Sequence, residues 1–167
     1  MGASQIPAAS TASNPSDNWV LISSTNPVAT SLNVTGISGY KKLRIQWNTS
    51  SVQNLASFRL NADSGANYSY NGYKLVGVST TPVIVASQYS SAPATTLVPT
   101  DQHSYFDLVI ESADTANMKM TKLDAMNSTP HWITSSGYYR ATAAVSQINI
   151  TWSALFNDLV KVYGVLA

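Results

Sequence analysis

"KKLRIQWN", residues 41–48, alternates without a break: Leu43, Ile45 and Trp47 are apolar, while Lys42, Arg44 and Gln46 are polar. A period of two puts each set on its own face of an extended chain, the mark of a half-buried β-strand. The same pattern appears on either side of this stretch. "ASFRLNA" (56–62) turns Phe58 and Leu60 inward, and "SYFDLVIES" (104–112) sets Phe106, Leu108 and Ile110 against Tyr105, Asp107, Val109 and Glu111. "SQINITWS" (146–153) keeps Ile148, Ile150 and Trp152 in register. "NWVLIS" (18–23) places Trp19, Leu21 and Ser23 on one face, and "NMKMTKLDA" (117–125) does the same for Met118 and Met120. "YKLVGVS" (73–79), "PVIVAS" (82–87), "YYRATAAV" (138–145) and "VKVYGVLA" (160–167) complete a set of about ten short strands, separated by Gly, Pro, Asn and Ser clusters. That spacing predicts a sandwich or barrel. No window carries an apolar helix period; "SALFNDLV" (153–160) could form one turn. The expected fold is all-β, a jelly-roll-like antiparallel β-sandwich over residues 18–167, with residues 1–17 as an extended N-terminal arm.

Composition points the same way. Only 10% of the 167 residues are charged, and the polar remainder is rich in 24 Ser, 16 Thr and 13 Asn. Helix surfaces favour Glu, Lys, Gln, Arg and Ala, whereas strands tolerate Thr and turns favour Ser and Asn. The length suits one domain with a real core. The apolar end of the chain, "VKVYGVLA", is expected to be tied into a sheet, which leaves the arm as the element able to reach outward.

Charge and motif content exclude several functions. Net charge is +1, with nine Lys+Arg against eight Asp+Glu. The densest basic spot, Lys41, Lys42 and Arg44, reads as a solvated strand end, so no nucleic-acid partner is expected. There is no cysteine, hence no disulfide, thiolate or Cys-ligated zinc. No run approaches the roughly 20 apolar residues of a membrane helix, and the N-terminus lacks the charged and apolar regions of a signal peptide. Gly2 does not open a myristoylation motif, because Ile6 stands where Ser or Thr is wanted. Five Asn-x-Ser/Thr sequons begin at Asn33, Asn48, Asn67, Asn127 and Asn149, and they matter only in a secretory pathway.

The search for chemistry finds little. Of the two histidines, His103 lies near Asp101 and Asp107, one His and two carboxylates that fall short of a catalytic zinc set; His131, after Pro130, reads as a turn residue. There is no G-x-S-x-G, no phosphate loop and no dinucleotide fingerprint. Glu111 is the only glutamate, and no pair of acids has glycosidase spacing. No enzyme activity and no cofactor are expected.

The loop in "FRLNADSGANYSYNGY" (58–73) offers oxygens from Asn61, Asp63, Ser64 and Asn67, yet it fails the EF-hand pattern. A hairpin turn is the favoured reading, with Asp63 bonding its own backbone and Gly65 supplying a positive φ. The aromatic residues then remain. Tyr68, Tyr70 and Tyr73 follow the loop, and Tyr138 and Tyr139 sit in "SGYYRA". Aromatic rings at such places stack on sugars or anchor protein interfaces, or pack at strand ends. Tyr138 and Tyr139 cannot share a face, so at least one of them should meet solvent or a partner.

Three segments together resemble a β-sandwich family of tailed-phage virion proteins. That family carries an "L-R-F-N-x-D-x-G-x-N-Y" strand-loop, a later "G-x-W-R-x-T-A-A-I-x-x-I-x-[LI]" strand pair and a closing "Y-G" strand. Arg59, Leu60, Asn61, Asp63, Gly65, Asn67 and Tyr68 fit the first. Gly137, Tyr139, Arg140, Thr142, Ala143, Ala144, Val145, Ile148 and Ile150 fit the second, with Tyr139 in place of Trp. Tyr163 and Gly164 fit the third. The resemblance spans about Tyr40 to Ala167 and implies a structural virion protein, commonly a homotrimer. A chain that begins at Met1 with no shaft of repeats fits a capsid decoration, or cement, protein better than a fibre. It would bind the major capsid protein or another virion protein on the capsid surface. The arm, including Ile6 and Pro7, together with Tyr68, Tyr70, Tyr73, Tyr138 and Tyr139, would be its contact residues. The alternative is a tail-associated receptor-binding or carbohydrate-binding protein, whose tyrosines would meet a host glycan.

Overall fold

A computed structural model describes residues 18–49, 56–75, 81–90, 104–126 and 132–167. Eleven strands run through them: β1 (Val20–Thr25), β2 (Ala29–Thr35), β3 (Tyr40–Thr49), β4 (Ala56–Leu60), β5 (Tyr68–Leu75), β6 (Val83–Ser90), β7 (Ser104–Glu111), β8 (Lys119–Met126), β9 (Trp132–Tyr139), β10 (Gln147–Phe156) and β11 (Val160–Leu166). The antiparallel β-sandwich expected from the sequence forms, with its sheets unequal. One sheet has eight strands in the order β1-β11-β3-β7-β8-β9-β5-β6; the other has three, β2-β10-β4. The expected arm, residues 1–17, lies outside the described residues, as do Ile6 and Pro7.

The alternating stretches build the core as their period requires. Leu43, Ile45 and Trp47 of β3 face Ile148, Ile150 and Trp152 of β10 across the sandwich, with Phe106, Leu108 and Ile110 of β7 beside them. Trp47 stacks on Phe106 at 3.6 Å between ring centroids, and Trp152 stacks on Phe156 at 4.3 Å. Trp47 meets the second pair edge-on. Edge contacts such as those of Trp47 add roughly 0.5–1.5 kcal/mol per pair beyond simple burial. Phe156 ends β10, so "SALF" is extended and the helical turn that residues 153–160 could have formed is absent; Asn157–Leu159 is a short loop into β11.

Other departures have local causes. A register shift between Leu21 and Ser23 breaks the alternation of β1, so Ile22 packs on the core and Leu21 is exposed. β2 and the "WITSSGYY" of β9 carry too many hydroxyl residues to show an apolar period, yet both pair along their length, β2 with β10 and β9 with β8 and β5. The strand expected over "YYRATAAV" stops at Tyr139, because Arg140–Ser146 is the passage from one sheet to the other. Met118, just before β8, and Met120 on it both face solvent. Lys119 lies inward and fully buried, its ammonium donating to the carbonyls of Thr115 (3.0 Å), Asn117 (2.8 Å) and Ala141 (3.1 Å). Burial pushes this lysine's pKa down. Its three bonds tie the loop before β8 to the one after β9.

Candidate functional site

Two regions gather the residues singled out by the sequence. The first is the corner where "NADSGANY" leads from β4 in the small sheet to β5 in the large one. It is a passage between sheets and not a hairpin. The left-handed backbone falls on Asn61 (φ 54°) and Ala62 (φ 55°), while Gly65 is not among the positive-φ residues, which corrects the expectation for that glycine. Asn tolerates this conformation because its short amide finds local partners. Here the Asn61 side chain donates to Ala144 O (2.9 Å) and accepts from the amides of Ser146 (2.8 Å) and Gln147 (3.3 Å). The Asn61 amide donates to Gln147 O, and the Arg140 amide to Asn67 O.

Asp63 is held inside the same corner. One carboxylate oxygen accepts the Gly65 amide at 2.7 Å, the other the Asn67 side chain at 2.7 Å. Burial opposes its ionisation, but these donors, the Tyr139 hydroxyl and the charge of Arg59 outweigh it and hold the carboxyl below its usual range. Both oxygens thus serve a turn, the reading favoured over a calcium site. Tyr68 stacks on Tyr139 at 4.9 Å. The Tyr68 hydroxyl accepts the Leu60 amide (3.0 Å) and donates to Asp63 O (3.2 Å). Burial, with a contribution from the Asp63 charge, pushes its pKa up to about 12. The Tyr139 hydroxyl is shifted upward by burial and by its bond to Asp63.

The five candidate tyrosines are therefore not one surface. Tyr68 and Tyr139 are core residues, their rings closed off by the fold. Tyr70 packs half-buried against the core, Tyr138 is half-buried on the opposite face, and Tyr73 is exposed. The pair Tyr138 and Tyr139 divides between outside and core, as alternation requires.

The second region is the outer face of the large sheet. Strand register lays Lys161, Gln46, Asp107, Asp124, Thr134, Tyr73 and Ile84 in one row across seven strands. A neighbouring row runs Asn48, Tyr105, Met126, Trp132 and Leu75. The face is polar over β11, β3 and β7, and over β8, β9 and β5 apolar residues stand among polar ones such as Lys122, Asp124, Thr134, Ser136 and Asn71. On that half Met126, Trp132, Tyr73 and Ile84 are exposed, Ile84 to 70%.

On the polar side Arg44 clasps Asp107 through Nε (2.9 Å) and a terminal nitrogen (2.5 Å), and Tyr105 (3.0 Å) and Gln46 (3.2 Å) donate to the same carboxylate. Burial raises the Asp107 pKa, but the guanidinium and the two neutral donors bring it below the usual range; Arg44 is raised in turn by its bond to Asp107. Tyr105 is raised by burial and then by the carboxylate beside it. Lys42 pairs with Glu111 at 3.3 Å. Two cations of the basic spot are thus matched by carboxylates on the adjacent strand, which leaves little field for a polyanion. Beside this cluster lies a cavity of about 290 Å³ lined by Gln46, Asn48, Tyr105, Leu159, Lys161 and Tyr163. None of these was singled out as a contact residue from the sequence; the signal was the outward half of each alternating strand.

His103, Asp101 and His131 lie outside the described residues. Among the described residues no three His, Cys, Asp or Glu side chains gather, and no helix is long and apolar enough to cross a membrane. No family model matches this chain, and no curated protein matches it.

Proposed function

We propose that this protein is a structural component of a tailed-phage virion, a capsid decoration protein that binds the shell as an oligomer, most simply a homotrimer. The observation that carries the reading is the set of exposed apolar residues on the large sheet, Met126, Trp132, Tyr73 and Ile84, on a β-sandwich whose core is already complete without it. Several large apolar side chains exposed on one sheet face suit contact with another macromolecule. The corner supports the same reading. The residues of the first and second resembling segments bind one another through Asn61, Asp63, Tyr68 and Tyr139, so that these signatures hold the fold together and carry no chemistry. The third segment is structural as well: a Cβ on Gly164 would lie 2.3 Å from the Tyr40 ring, so only glycine fits under that ring. Small polar side chains over the rest of the surface lose little entropy on packing. Many modest contacts to a repeating shell gain from multivalency.

The test is to locate the protein on purified virions by antibody labelling and imaging. Label over the capsid shell is the expected result. Label at the tail tip would transfer the argument to the receptor-binding alternative, and absence from virions would overturn both.

A further inference from the structure

The cavity beside β11, β3 and β7 is not used by the fold or by the proposed assembly role. Its floor is β3, with Gln46 and Asn48 pointing outward; Tyr105 on β7 forms one wall, and Tyr163 and Lys161 on β11 form the other. The two walls stand two strand spacings apart, about 10 Å, and the tyrosines are diagonal across them: Tyr105 lies in the row of Asn48, Tyr163 four residues along β3 in the row of Arg44. A volume of about 290 Å³ lies at the small end of ligand sites.

The polar groups are unevenly committed. Arg44 and Asp107 neutralise each other, and Tyr105 and Gln46 donate to that pair. Lys161, Asn48 and Tyr163 have no side-chain hydrogen bond or ion pair among the described residues. The Gln46 amide uses only its nitrogen, towards Tyr105 and Asp107, which leaves its carbonyl oxygen to accept. Asp158, the acid nearest in sequence to Leu159, does not line the cavity. Among the described residues the site therefore presents one positive charge without an acid partner, amide groups able to donate and accept, and aromatic faces. Aromatic rings meet the apolar faces of sugars, amides read their hydroxyls, and an ammonium pairs with a carboxylate.

We infer that this cavity is a binding site for a saccharide unit bearing a carboxylate, of the uronic-acid or sialic-acid type. The carboxylate pairs with Lys161, the ring lies over β3 with Tyr105 and Tyr163 at opposite ends of the cavity, and its hydroxyls meet Gln46 and Asn48. A single shallow site binds weakly, and repetition over an assembly would raise the effective affinity. The inference is independent of virion location, so its failure would leave the decoration reading standing.

The test titrates the full chain with 3′-sialyllactose, with trigalacturonate and with neutral lactose, followed by saturation-transfer NMR and calorimetry. At least one acidic saccharide should bind at millimolar concentration, more weakly as salt is added, and lactose should not. Lys161→Met should weaken that binding about tenfold, the scale of a lost charge-assisted hydrogen bond. Tyr163→Ala should weaken it as well; urea midpoints of both variants report that the fold is intact. Equal binding of lactose, an unchanged Lys161→Met variant, or no binding by either acidic saccharide would each overturn the inference.

Discussion

The corner at Asn61–Tyr68 and the outer face of the large sheet make opposite uses of similar residues. Both contain tyrosines, amides and a carboxylate held below its ordinary pKa. At the corner each polar group is turned inward: Asp63 onto its own loop, Asn61 onto the start of β10, Tyr68 onto Leu60 and Asp63. On the outer face Arg44, Asp107, Tyr105 and Gln46 are bound to one another, while among the described residues Lys161, Asn48 and Tyr163 are left open beside them. A conspicuous motif can thus be the part of a protein least able to meet a partner. The available surface lies instead on the outward halves of ordinary strands.

The largest effect should come from breaking the corner. Asn61→Ala removes one donor and one multiply used acceptor, and replaces a residue suited to positive φ. A loss of about 2 kcal/mol is expected, read as a lower urea midpoint. An unchanged midpoint would mean that the corner does not hold the sheets together.

An intermediate effect should appear in acid, where the two carboxylates can be compared. Folding lowers the pKa of both Asp63 and Asp107. Their contribution is therefore fully present above the unfolded-state value near 4 and is lost as pH falls through the lower folded values. Urea midpoints should be level from about pH 7 to 5 and fall below about pH 4. Asp63→Asn and Asp107→Asn should each flatten part of that fall. If Asp107→Asn left the profile unchanged, the ion pair with Arg44 would not contribute to stability.

The smallest effect on stability should come from the exposed apolar residues of the large sheet. Ile84→Ser alters a residue that is 70% exposed at the edge strand β6, and its stability should change by no more than about 0.5 kcal/mol. Its binding to the virion shell should nonetheless weaken in a cosedimentation assay. A substitution silent in both measurements would remove β6 from the contact surface.

Much of the sandwich was legible because alternation reports burial directly. β3, β4, β7 and β10 each carry an apolar set at period two, and each set is in the core. β2 and β9 were harder to read, since Ser and Thr on both faces erase the period while backbone pairing still holds the strand. Lys119 inverts its local pattern: a lysine flanked by methionines reads as the polar position, yet three carbonyls from two loops give its ammonium enough partners to be buried. The cavity was illegible for a related reason. Its lining comes from β3, β7, β11 and the loop before β11, brought together only by strand order.

The sequence by itself determined the class of fold and the inward face of most strands, because side-chain alternation is a local property of an extended backbone. Composition set aside cysteine chemistry, and the spacing of motifs gave no basis for expecting catalysis. Tertiary structure decided which sheet each strand joins, which tyrosines are core and which are surface, and where Asn61, Lys119 and Lys161 find or lack partners. Those outcomes depend on contacts between residues far apart in the chain, such as Asn61 with Gln147 and Arg44 with Asp107, and no local period encodes them.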